Sequence, residues 1–290
     1  MPQPNTLFGG ALIGTSFTTL DQVQELLDLL KTLGINRIDT AARYSPTAPG
    51  SSERLLGDTR AAEQGFTIDT KINTAGDDGA GSLTAAAIQK SLEESLSRLK
   101  TGKVNVLHFH RPDPQTPVAE QAAEIHKQYV AGHFDKFGLS NFPPEMVATF
   151  ISVCEEKGYV MPSVYHNIAF NAYSPLAGGF LTGRATRGDA EETRFGQNTK
   201  VASPLIAKYN TSQTQAAMTD LLNTLEPLNI TSSEACLRWL YYHSALSEED
   251  GVILGASKTP QILQNMADIS KGPLPTELLQ KINVLWEKFR

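Results

Sequence analysis

Short apolar runs alternate with amphipathic helical periods along nearly the whole chain, and this restricts the fold to a parallel sheet with helical crossovers. Strands are predicted at Leu7 to Ile13, Arg37 to Asp39, Phe66 to Lys71, Val104 to His110, Lys136 to Leu139, Ser163 to His166, Phe170 to Tyr173 and Val252 to Leu254. Helical spacing of apolar residues predicts helices over Leu20 to Leu33, near Glu53 to Glu63, and over Leu83 to Leu99, Val118 to Ala131 and Pro144 to Glu156. Four more follow at Thr214 to Leu225, Ser232 to His243, Pro260 to Ser270 and Pro275 to Phe289, with a long loop from Arg184 to Tyr209. A doubly wound dinucleotide-binding sheet should carry G-x-G-x-x-G after its first strand. Gly9, Gly10 and Gly14 do not fit that spacing. Strand count and length favour a (β/α)8 TIM-barrel-like α/β fold, and with no low-complexity linker residues 1–290 read as a single domain.

The bulk properties narrow the class of function. A net charge of -6 with unclustered Lys and Arg argues against a nucleic-acid partner. No window approaches a membrane span, and the first residues lack a basic start and long apolar run, so a cytoplasmic protein is expected. Cys154 and Cys236 both fall in helical segments and read as reduced thiols.

Titratable residues end three successive strands: Asp39, followed by Tyr44, then Lys71, then His110. In a parallel barrel these ends face one mouth, where catalytic groups belong. Each residue alone has an ordinary structural reading: a solvated lysine, a packing tyrosine, a core histidine. Together they make chemical sense. Reduction of a carbonyl needs a proton donor beside the developing alkoxide, and a free phenol at pKa about 10 is a sluggish one. A neighbouring ammonium lowers that pKa, a carboxylate holds the ammonium, and a neutral imidazole can orient the carbonyl oxygen. The expected roles are Tyr44 as general acid, Lys71 as its tuner, Asp39 as the anchor of Lys71 and His110 as polariser.

These residues also carry a family resemblance. Gly34-Ile-Asn-Arg-Ile-Asp39-Thr-Ala-Ala-Arg-Tyr44, Ser52-Glu53, Thr70-Lys71 and Val104-Asn-Val-Leu-His-Phe-His110-Arg-Pro-Asp113 resemble the aldo-keto reductase signature. The likeness continues through Gly138-Leu-Ser-Asn-Phe142, Tyr173-Ser-Pro-Leu-Ala-Gly-Gly, Leu237-Arg-Trp-Leu240 and Gly255-Ala-Ser257, and is nearest the aflatoxin-aldehyde reductase subfamily. It implies NADPH as cofactor and a small aldehyde, dicarbonyl or semialdehyde as substrate, with a homodimer allowed. Carried over by motif, Ser140 and Asn141 would bind the carboxamide, and Tyr173 would stack on the nicotinamide ring with Ser174 beside it. Leu176 and Gly178 would follow the pyrophosphate. Ser257, Lys258, Gln261 and Asn265 would hold the adenosine end, and His166 stands where relatives carry a glutamine. Arg194 and Tyr209 would line the substrate pocket. Many members have an arginine where Gln261 stands, which leaves Lys258 to favour NADPH over NADH.

One place breaks the pattern. Only Asn167, Ile168 and Ala169 separate the sixth and seventh predicted strands, whereas a parallel crossover needs roughly a dozen residues. The sixth β/α unit is therefore expected to be truncated. The outcome would be one long bent strand, a seven-stranded or opened barrel, a gap covered by the loop from Arg184 to Tyr209, or a mis-spliced gene product. A non-catalytic nicotinamide-binding redox sensor is the alternative to a reductase. A metal-dependent hydrolase using His108 and His110 is a third reading, but further ligands are wanting in the sequence and no metal is expected.

Overall fold

Thirteen residues of α1 (Leu20–Thr32) start at a capping box in which Thr19 and Gln22 satisfy each other's backbone amides, and its apolar stripe buries Val23, Leu26, Leu27 and Leu30. The computed structural model describes residues 3–45, 48–74, 76, 78–163, 169–189, 193, 195 and 202–287, with the backbone alone at 202–205 and 285–287. In chain order, β1 (Asn5–Gly9) precedes α1, followed by β2 (Arg37–Asp39), α2 (Ser51–Asp58), β3 (Thr67–Ile72), α3 (Ala85–Leu99), β4 (Val104–Phe109) and α4 (Val118–Val130). Next come β5 (Phe134–Leu139), α5 (Pro144–Lys157), β6 (Asn171–Tyr173), α6 (Ala202–Tyr209), α7 (Ser212–Leu225) and α8 (Ser232–Tyr242). The chain continues through β7 (Gly251–Leu254), α9 (Thr259–Ser270) and α10 (Thr276–Glu287).

The strands form one seven-stranded sheet in the order β5-β4-β3-β2-β1-β7-β6, and the pairings from β1 to β5 are parallel. With a helix after nearly every strand, this is a TIM-barrel-like α/β fold carrying seven strands among the described residues. The described residues fall into two compact units. One comprises Thr6–Asn171 with Glu249–Thr259, and the other comprises Met1–Asn5, Ala172–Glu248 and Pro260–Arg290.

The first unit holds the sheet core. Its strands are buried on both faces, as helical crossovers require. Strand alternation puts Phe109 of β4 toward the helices, where its ring meets Phe137 of β5 and Phe150 of α5 at 5.0 and 5.9 Å. The neighbours His108 and His110 point to the opposite face. Gly57 lets α2 lie close on α3, since a Cβ there would collide with the Arg98 carbonyl. In the second unit, Ala177, Phe180, Phe195, Met218 and Leu222 form a separate apolar cluster. No described helix is long and apolar enough to cross a membrane.

Two expectations change. The first strand stops at Gly9, and Gly10–Leu12 turns into a 3-10 helix instead of continuing to Ile13. The expected loop from Arg184 to Tyr209 contains α6, whose apolar residues suit a helix once the cluster around Phe180 is there to receive them. Of the sixth predicted strand, Ser163 to His166, only Ser163 lies among the described residues, and there the chain runs beside β5. Pro162 forms an isolated parallel bridge to Phe137, and Ser163 N donates to the Phe137 carbonyl at 2.7 Å. His166 lies outside the described residues. The next strand, β6, joins the other end of the sheet through Phe170 and Gly251, with no helix among the described residues between α5 and β6.

Candidate active site

The strand ends of β2, β3 and β4 bring four side chains together. Asp39 closes β2, and Lys71 sits one residue before the end of β3, which runs on to Ile72. Their ladder continues beyond β2, with Thr40 N donating to Asp69 O and Ala42 N to Lys71 O. A turn closed by Tyr44 N and Ala41 O then swings Tyr44 back over the mouth, aided by Ser45 at φ 66°. His110 follows β4 directly.

Lys71 Nζ donates to both Asp39 oxygens, at 2.6 and 2.7 Å, and to the Thr40 carbonyl at 2.7 Å. The Tyr44 hydroxyl donates to Asp39 Oδ2 at 3.3 Å. The Lys71 ammonium lies 4.7 Å from the Tyr44 ring centre, and His110 meets the same ring edge-on at 5.6 Å. The four expected residues thus form one contact network.

Their protonation follows from burial and charge. Burial alone would drive the Lys71 ammonium down, yet Asp39 and Tyr44 hold it above the ordinary lysine value. Burial, joined by the Lys71 charge and by Arg43, pushes His110 well below the usual imidazole range, so its ring is neutral. Its Nδ1 is buried without a hydrogen-bond partner. Tyr44 corrects the sequence reading. Lys71 does pull the phenol down, but burial is the larger cause and Asp39 adds to it, so the pKa stands above its ordinary value.

The residues expected to hold a cofactor fall in both units. Ser140 and Asn141 follow β5, and Asn141 adopts φ 61° while its Nδ2 donates to the His110 carbonyl at 2.9 Å. Ser257 and the exposed Lys258 lie between β7 and α9. In the second unit, Tyr173 ends β6 with 59% of its surface exposed, and Ser174 has φ 55°. Leu176 leads into a bent 3-10 segment in which Gly178 and Gly179 take left-handed φ of 66° and 105°. Gln261 is exposed and Asn265 buried on α9. Tyr209 ends α6 and packs on the Phe180 cluster. Arg194 lies outside the described residues.

Two features escaped the sequence reading. Arg43 and Arg111 flank Tyr44 and His110, and both reach Thr74: Arg43 Nη1 its hydroxyl at 3.5 Å, Arg111 Nη2 its carbonyl at 3.4 Å. Their positions beside two named catalytic candidates were the available signal. Below them, Asp69 Oδ2 pairs with Arg37 at 2.7 Å and Asp69 Oδ1 accepts from Asn105 at 2.6 Å. The alternation Arg37-x-Asp39 beside Asp69-x-Lys71 would have placed these charges on one face of the sheet. His108 groups with Asp39 and Asp69, one ligand atom of each lying within 4.8 Å of the others.

Comparison with known proteins shows the family. The model of the Aldo/keto reductase family matches residues 6–167 and 150–287. The chain belongs to the aldo/keto reductase family. The two matched stretches overlap over residues 150–167. An aldo-keto reductase of Pseudocercospora fijiensis is 31% identical, with 90% of this chain and 96% of the relative covered. Aflatoxin B1 aldehyde reductase member 2 of Rattus norvegicus is 31% identical, covering 87% of this chain and 77% of its own. Aflatoxin B1 aldehyde reductase member 4 of Homo sapiens is likewise 31% identical, with 88% and 86% covered. This aldo/keto reductase is therefore an oxidoreductase.

Proposed function

We propose that this aldo/keto reductase reduces aldehydes or ketones with NADPH, using Tyr44 as general acid, and that the contact network of Asp39, Tyr44, Lys71 and His110 carries the reading. The donor set suits a nicotinamide dinucleotide. Asn141 is held beside His110, Tyr173 is largely exposed at the end of β6, and the left-handed glycine at 179 has no neighbour within 4 Å of a Cβ position. The start of α9 follows Ser257 and Lys258 directly, which suits the phosphate-rich adenosine end of the cofactor. Ser140 and Asn141 would take the carboxamide, Tyr173, with Ser174 beside it, the ring, Leu176 and Gly178 the pyrophosphate, and Ser257, Lys258, Gln261 and Asn265 the adenosine end. Lys258 supplies the positive charge that favours NADPH. His166 belongs to the same proposal.

Bound NADPH would supply a hydride to the carbonyl carbon. Tyr44 passes its hydroxyl proton to the carbonyl oxygen, and Lys71 stabilises the phenolate left behind. Asp39 keeps Lys71 charged and aimed. Neutral His110 donates to the carbonyl oxygen and holds it in line with Tyr44. Loss of turnover with retained NADPH binding in Tyr44→Phe is the test.

The names of the relatives favour aldehydes. Arg43 and Arg111 add a preference for an anionic group such as the carboxylate of succinic semialdehyde, with Arg194 and Tyr209 as further pocket residues. Arg43 is exposed and forms no ion pair among the described residues. Removing a charge-assisted contact costs about 1.5–3 kcal/mol, so Arg43→Gln should raise KM for succinic semialdehyde by roughly 10-fold or more. The KM for an uncharged aldehyde such as butanal should stay level. Equal changes for both substrates would remove Arg43 from the pocket.

A further inference from the structure

His108 stands out among the buried polar side chains of the sheet. It is 5% exposed, and neither ring nitrogen has a hydrogen-bond partner, although buried polar groups are normally satisfied. The ladder sets two carboxylates beside it. Asp39 registers with Asp69 across β2 and β3, and Lys71 registers with His108 across β3 and β4. One ligand atom from each of Asp39, Asp69 and His108 lies within 4.8 Å of the others. Asp39 is 3% exposed and Asp69 is fully buried. Burial keeps the imidazole neutral, so its lone pair is available to a metal.

We infer that Asp39, Asp69 and His108 form a binding site for a first-row divalent cation of the Zn²⁺ type, and that its occupancy competes with Lys71 for Asp39. Two carboxylates and an imidazole are a donor set that such ions accept. Arg37 on Oδ2 and Asn105 on Oδ1 fix the Asp69 carboxylate before any ion arrives, as outer partners of metal ligands do. The charges facing the site are the two carboxylates and the cations of Lys71 and Arg37. Lys71 uses both oxygens of Asp39, so an ion gains that ligand only by drawing Asp39 off the ammonium. The ion would therefore inhibit the enzyme, in contrast to the sequence expectation of no metal. This inhibition rests on the proposed reductase mechanism; the binding does not.

Equilibrium dialysis of the purified protein against Zn²⁺ tests the binding. Wild-type protein should retain one zinc per chain, and His108→Phe and Asp69→Asn should each weaken retention by about 10–100-fold. Far-UV circular dichroism and NADPH titration check that both variants remain folded. Zinc should also lower wild-type turnover of 2-carboxybenzaldehyde while leaving that of His108→Phe insensitive, whatever its own level. Zinc held equally well by both folded variants overturns the site, and so does a wild-type protein that retains none. A protein that binds zinc through these residues but turns over no carbonyl keeps the site and overturns the reductase reading instead.

Discussion

Tyr44→Phe is expected to lower kcat for carbonyl reduction by about 10²–10⁴-fold while leaving NADPH affinity unchanged. Phenylalanine keeps the ring that lies beneath the Lys71 ammonium at 4.7 Å and against His110 at 5.6 Å. Only the hydroxyl is lost, together with its donation to Asp39. The remaining groups are poor substitutes as acids. His110 is held neutral far below its usual range, and Lys71 is held charged above its own. The raised phenol pKa also means that Tyr44 stays protonated through neutral pH, so reduction should decline only in the alkaline range as the phenol ionises. Steady-state kinetics across pH measure both effects, and wild-type kcat in Tyr44→Phe would assign the proton to another group.

Asp39→Ala should destabilise the protein by about 3–5 kcal/mol, because it leaves the Lys71 charge buried without its partner. Both residues are under a tenth exposed, and the pair meets at 2.6 Å. The double variant Asp39→Ala with Lys71→Met should recover much of that loss, since no unpaired charge remains. Denaturant titration reads each ΔG. The pH dependence has a fixed sign. The Lys71 pKa is raised in the folded state, so its contribution is complete below the unfolded lysine value of about 10.4 and is lost only as pH rises through the folded one. Neutral and mildly acidic conditions should leave this term untouched. A double variant as unstable as the single one would show that the pair's contribution is not electrostatic.

The sheet and the tetrad were legible because both rest on period. Apolar runs and strand ends recur at fixed spacing, and Asp39, Lys71 and His110 stand at or beside successive strand ends. What was not legible depends on tertiary surroundings. Ile206 and Tyr209 read as loop until the Phe180 cluster gives them a face to cover. Lys71 was expected to set the Tyr44 pKa, but burial, which a sequence does not display, is the larger cause. Arg43 and Arg111 needed Thr74 to show that they converge. The break before β6 was visible as a missing crossover, whereas the bridge at Pro162 ahead of it depends on the neighbouring Phe137 strand.

The most direct test of the account is a fluorescence titration of the wild-type protein with NADPH, followed at once by turnover of 2-carboxybenzaldehyde. The account predicts saturable binding and alcohol formation matched by NADPH consumption. Binding without turnover would contradict it and leave a nicotinamide-responsive sensor, and an absence of binding would show that the shortened connection before β6 has removed the cofactor site.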